Sequence, residues 1–195
     1  MAKASDNPFP SILVAEAAAP TAPPSGHSRL FIDSVDGALK RINSAGTVTA
    51  ISSATAASRV YAHRGTTQSI PHNVSTAIEL TGEDYDTDNF HDTVTNTNRL
   101  TIPAGWTSAV YAITASVQMA ANTTGMRTLT IRKNGAALSR GAGQQKANAP
   151  VGGVTLMQVS ADAQLTAGDY VDVAIAQTSG AALDVASATL SLRRV

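Results

Sequence analysis

One stretch of eleven residues, Ala109–Met119, limits what this chain can become more than any other. Its side chains alternate. Ala109, Tyr111, Ile113, Ala115, Val117 and Met119 fall on one side, and Val110, Ala112, Thr114, Ser116 and Gln118 on the other. An extended strand turns successive side chains to opposite faces, so the odd-numbered set reads as the core face of a long strand. Just before it, Pro103-Ala104-Gly105 breaks the pattern and reads as a corner between two strands. A long central strand entered through a corner points to two packed sheets.

The segments around it repeat the theme. Residues 127–132 place Leu129 and Ile131 inward and Thr128 and Thr130 outward. Asn134-Gly135 closes them with a hairpin signal, because a primed turn needs positive φ. Residues 139–153 are rich in Gly, Ala and Gln and read as a long exposed loop. Residues 154–159 form a strand, and 165–169 a turn that feeds a strand over 170–177, where Val171, Val173 and Ile175 share a face. Residues 188–193 close the chain, with Leu190 and Leu192 together. Ahead of the central strand, 59–68, 75–80 and 98–102 are further strands. This pattern, with little helical periodicity, predicts an all-β fold, an antiparallel jelly-roll β-sandwich over residues 58–195.

Residues 1–57 differ. Asn7-Pro8-Phe9-Pro10 is a proline-fixed extended segment. Ser11 is placed to cap a short helix through Ala18, which Pro20-Thr21-Ala22-Pro23-Pro24 ends. A β-meander follows, with strands over 29–33, 38–42 and 47–51. Asp36-Gly37 and Ala45-Gly46 are its turns. Strands this short are not stable alone and must pack on something. The apolar side chains Phe9, Ile12, Leu13, Leu30 and Phe31 need a surface. They read as the docking residues of an amino-terminal anchoring arm, the alternative being a disordered tail. Residues 52–58 are a small-residue linker.

Composition removes several function classes. Charged residues make up only 14% of the chain and aromatics 4%, so Ser, Thr, Asn and Gln must cover most of the surface. Such a surface is typical of proteins that live inside an assembly. Fourteen basic residues balance fourteen acidic ones, and Arg132-Lys133 and Arg193-Arg194 are too few for a nucleic-acid footprint. No nucleic-acid partner is expected. No apolar run approaches the roughly eighteen residues a membrane span requires. Residues 12–19 make a poor signal peptide, because Glu16 interrupts a short apolar run. There is no cysteine to build a disulfide, a thiolate metal site or a thiol nucleophile.

Candidate chemistry is sparse. Asp84, Asp86 and Asp88 alternate as the opening of a calcium loop does. Asn89 stands where that loop needs Gly, however, and Thr95 where it needs Glu. The stretch reads as a solvated acidic loop, with a surface calcium ion as the alternative. His27, His63, His72 and His91 show no zinc-pair spacing. No serine sits in a nucleophile elbow, and Gly141-Ala142-Gly143-Gln144-Gln145-Lys146 lacks the spacing of a phosphate loop. The expectation is a protein without catalytic residues and without cofactor.

Arg99-Leu100-Thr101-Ile102-Pro103, then Gly105, then Tyr111, resembles the F-x-x-P-x-x-G-x-Y core of the complement-type and tumour-necrosis-factor-like jelly rolls. Leu165-x-x-Gly168-Asp169-x-Val171 is similar to a strand lead-in of the same superfamily. Two departures separate this chain from the animal proteins: Ile113 replaces an aromatic residue, and the carboxy-terminal aromatic pattern is absent. It looks closer to versions in tailed-bacteriophage virion proteins, through the acidic stretch Tyr85-Asp86-Thr87-Asp88-Asn89-Phe90-His91-Asp92 and through Gly125-Met126-Arg127. The Arg29-Leu30-Phe31-Ile32-Asp33 strand and its Asp-Gly turn look like the attachment segment of phage fibre and decoration proteins.

The resemblance implies a homotrimer, with Tyr111 nearest the threefold axis and Ile113 and Leu190 at the interface. The other reading of Tyr111 is a core residue of a single sandwich. The implied function is a virion structural protein, a capsid decoration or head fibre held by its arm to major capsid or tail proteins on the virion surface. The alternatives are a tail-tip module that recognises a host surface glycan, and a secreted trimeric adhesin or ligand.

Overall fold

The computed structural model describes residues 15–51 and 58–195. The chain divides into two compact units, Met1–Ala56 and Ala57–Val195. Among the described residues there is no α-helix, only a single 3-10 turn at Ser139–Gly141.

The first unit holds one small sheet in the order β1 (Glu16–Ala17), β2 (Ser28–Asp33), β3 (Leu39–Asn43) and β4 (Val48–Ala50). The meander is as the sequence predicts. The expected helix is not: residues 11–14 lie outside the described part, and Glu16–Ala17 pairs parallel with Ile32 and Asp33. The β2–β3 turn also differs from the two-residue primed form. Gly37 takes positive φ, but Asp36 does not, and the loop spans Asp33 to Ala38. The carboxylates of Asp33 and Asp36 accept the backbone N–H groups of Val35 and Ala38, and both reach Lys40 Nζ at 2.7 Å. Side-chain capping of this kind stabilises a longer loop where a tight turn would otherwise serve.

The second unit contains twelve strands: β5 (Arg59–Arg64), β6 (Gln68–Ile70), β7 (Thr76–Ala77), β8 (Gly82–Asp86), β9 (Arg99–Thr101), β10 (Ala109–Met119), β11 (Met126–Lys133), β12 (Ala136–Ala137), β13 (Gln144–Asn148), β14 (Thr155–Leu165), β15 (Tyr170–Gln177) and β16 (Leu183–Arg194). One sheet runs β14-β10-β16-β5-β8, with β6 beside β16. The other runs β12-β11-β15-β7, with β13 beside β11 and β9 beside β15. The strands within each sheet of this unit pair antiparallel. The chain crosses between the sheets at most connections, staying within one sheet only at β5–β6, β11–β12 and β12–β13, which is the jelly-roll arrangement.

The core lies between these two sheets. Ile113, Ala115, Val117, Leu190 and Leu192 come from one, and Leu129, Ile131, Val171, Val173 and Ile175 from the other; all are buried. β10 is the spine. It pairs along its whole length with β14 and along most of it with β16.

Candidate functional site

The alternation that buries one face of β10 leaves the other uncovered. Val110, Ala112, Thr114, Ser116 and Gln118 form a row flanked in register by β14 and β16. Over its centre the three strands present Leu156, Gln118 and Ser187, then Gln158, Ser116 and Thr189, then Ser160, Thr114 and Ser191. None of these nine side chains ionises. The hydroxyls satisfy one another across strands, Thr114 with Ser160 at 3.0 Å and Ser116 with Thr189 at 2.7 Å. Leu156 is exposed, and beside it a shallow hollow of about 460 Å³ is lined in part by Gln118, Gln145, Gln158 and Ser187. These central rows of small polar groups lose little on desolvation, because their hydroxyls keep their partners when water leaves. The next row is ionic, with exposed Asp162 and Arg193 on either side of Ala112.

The three residues expected at a trimer interface lie elsewhere. Tyr111, Ile113 and Leu190 are fully buried inside a single sandwich and have no area to give to a neighbouring copy. The odd-numbered face of β10 is consumed by the core of its own chain, so any interface on this sheet must use the even-numbered one. Tyr111 instead belongs to an aromatic cluster: Phe90 meets it edge-on at 6.4 Å and Trp106 at 5.4 Å. Its hydroxyl is buried without a partner. Burial raises the pKa of that hydroxyl, an effect opposed by Arg194 and reinforced by Asp88.

The acidic stretch does not gather into a cage. Asp84 and Asp86 lie on β8, a strand the sequence reading missed. Asp86 uses both oxygens locally, accepting the backbone N–H groups of Asp88 and His91. Asp88 accepts the Thr87 hydroxyl, and Asp84 faces His63 at 3.4 Å. Among the described residues no three His, Cys, Asp or Glu side chains converge on one point.

His91 has a buried side chain, with Nδ1 3.2 Å from a Glu83 carboxylate oxygen and Nε2 3.1 Å from the Thr97 carbonyl. It ties the loop between β8 and β9 at two points. His72 accepts the backbone N–H of Gly180.

The Gly168-Asp169 pair has a clear physical role. Gly168 takes φ +82° in the turn between β14 and β15. Asp169 accepts the N–H and hydroxyl of Thr166, Lys133 Nζ at 2.8 Å and Asn134 Nδ2 at 2.8 Å. Asn134 returns the contact by accepting the Tyr170 N–H. Burial alone would raise the Asp169 pKa, but Lys133, Asn134 and Thr166 outweigh it and hold the carboxyl well below the usual range. Asn134 and Gly135 both take positive φ, giving the two-residue hairpin the sequence predicts.

In the amino-terminal unit the two neighbours Leu30 and Phe31 part company. Successive residues of a strand face opposite ways. Phe31 is buried, whereas Leu30 is 62% exposed, so only Leu30 can serve as a docking residue. On its side of the sheet stand Leu39 and Ile51, also exposed, the latter reached through the bond from Ile51 N–H to the Leu39 carbonyl. Phe9, Ile12 and Leu13 lie outside the described residues.

No family model matches the chain, and no curated protein does. Solved structures do. The globular domain of zebrafish complement 1qA protein aligns with a TM-score of 0.50 at 13% identity, over 69% of this chain and 94% of that one. The Eiger TNF from S. frugiperda aligns with a TM-score of 0.47 at 12% identity, over 71% and 91%. The fold is the complement-type jelly roll. At this level of identity the likeness is one of architecture, and neither neighbour is a phage protein.

Proposed function

We propose that this chain is a non-enzymatic attachment and display protein that assembles as a homotrimer. Its jelly-roll unit associates through the uncharged central rows of the β14-β10-β16 face, and its small amino-terminal sheet holds the assembly to a larger particle. The observation that carries this reading is the open sheet face on a complement-type fold, whose three central rows hold no ionisable side chain. A soluble monomer has no use for three successive rows of sheet surface without charge, since charge is what keeps surfaces apart. The setting we propose is the surface of a tailed-phage particle, as a capsid decoration or head fibre. The resemblance of the Arg29–Asp33 strand and its Asp-Gly turn to phage attachment segments supports it, together with the exposed aliphatic side chains of Leu30, Leu39 and Ile51.

The test is sedimentation of the full chain. The expected mass is three times the 20.0 kDa of one copy. Thr114→Arg sets three charges at the centre of the proposed contact and is expected to give folded single copies. Leu30→Asp is expected to leave the trimer intact and to abolish co-sedimentation with particles. A wild-type chain that sediments as one copy would defeat the trimer, and particle binding by Leu30→Asp would defeat the role of the small sheet. A tail-tip position is the second reading, and labelled antibody on intact particles distinguishes it from the capsid.

A further inference from the structure

The loop joining β8 to β9 folds over a hollow of about 220 Å³, walled almost wholly by polar groups. Its lining includes the exposed Asn89, Asp92, Thr95 and Asn96, the buried His91 and the half-buried Arg99. Several features make it a preformed shape. Asn89 and Asn96 both take left-handed φ, which asparagine tolerates and which fixes the two bends of the loop. Asp92 accepts the N–H groups of Val94 and Thr95 and is held below its usual pKa by them. His91 pins the middle of the loop to Glu83 and Thr97.

Arg99 differs from Arg64 and Arg127, which also carry an unpartnered buried Nε but bond backbone carbonyls through their terminal nitrogens. The Arg99 guanidinium lies over the Tyr170 ring at 4.6 Å. None of its side-chain nitrogens pairs with a described residue, and Nε is buried with no partner. Asp172, directly across the ladder from Arg99, is already taken by Arg132 Nε at 2.5 Å. The fully buried Arg127, by contrast, donates from its terminal nitrogens to the carbonyls of Asn122 and Thr124. A guanidinium held over an aromatic ring, with its terminal nitrogens unpaired and its residue lining a polar hollow, is arranged to receive a planar carboxylate.

We infer that this hollow binds a carboxylated sugar of the hexuronic acid class. The carboxylate pairs with the Arg99 fork. The ring hydroxyls meet the amides of Asn89 and Asn96 and the hydroxyl of Thr95, and one donates to the Asp92 carboxylate. The hollow has room for about one sugar ring, and its lack of apolar wall excludes hydrophobic ligands. The site lies within one chain, so the inference stands whether or not the trimer forms.

The experiment is titration of the full chain with glucuronate, glucose and acetate, followed by amide and Arg side-chain NMR. Glucuronate is expected to shift the Arg99 Nε–H signal and the amides of residues 89–101. Glucose and acetate, each lacking one half of the recognition, are expected to bind at least about tenfold more weakly. Arg99→Gln should remove the glucuronate response. Asn96→Gly, which keeps the left-handed backbone, should weaken it severalfold with the melting temperature unchanged. Equal response to acetate would reduce the site to general anion binding and overturn the proposal. So would no response to glucuronate, or an undiminished one in both variants.

Discussion

Tyr111 shows what one side chain does when two demands on it conflict. Its ring fills the space between Phe90 and the two sheets, while its hydroxyl reaches no partner. The ring stabilises the sandwich and the oxygen costs it. Tyr111→Phe keeps the ring and removes an unsatisfied buried oxygen, so it is expected to leave stability unchanged or raise it by up to about 1 kcal/mol. Tyr111→Ala empties the site and is expected to cost about 3–5 kcal/mol. Chemical denaturation of both variants checks the pair. A loss of several kcal/mol in Tyr111→Phe would mean the hydroxyl has a partner. The same residue marks where resemblance and periodicity disagreed: alternation assigned it to a core, resemblance to an axis, and the burial of the odd-numbered face decides for the core.

At the scale of elements, turns join what strands alone do not. The clasp between Asn134 and Asp169 ties the β11–β12 hairpin to the β14–β15 turn. Because the folded Asp169 carboxyl titrates below its unfolded value, its contribution is fully present above that unfolded value, about pH 4. It is lost as pH falls toward the folded value. Asp169→Asn is therefore expected to be less stable near neutrality by about 1–3 kcal/mol, with the gap closing in acid. Thermal melts of both proteins from neutral to acid pH measure it, and a constant gap would remove the carboxylate from the account.

Such turns were legible in the sequence because Asn-Gly and Gly-Asp leave few backbone choices. Strand ends were not. β16 begins at Leu183, not 188, because a bulge near Ala186 shifts the register and breaks the alternation. β14 continues to Leu165 through Ser160-Ala161-Asp162-Ala163, whose small side chains carry little periodic signal. β13 lies within the expected loop; its residues are polar, and pairing with β11 rather than burial holds them. The Arg99 hollow was hidden for another reason. Its parts span a bent loop, and only folding shows that the guanidinium lacks a partner.

For the whole molecule, the division into two units separates two kinds of surface. One is a small sheet with Leu30, Leu39 and Ile51 exposed on one side, around Arg41; the other a larger sandwich with a polar side whose central rows carry no charge. The paired hydroxyls of Thr114 with Ser160 and Ser116 with Thr189 have a colloidal consequence. Counter-ions screen charge, and these central rows offer them none to screen; only the neighbouring Asp162–Ala112–Arg193 row is ionic. If the proposed trimer joins through the central rows, it is expected to hold from dilute buffer to molar sodium chloride, with the same sedimenting species at either end. Dissociation on adding or withdrawing salt would place the joint on some other, ionic part of the sandwich. An assembly built this way would weather rain and brine alike.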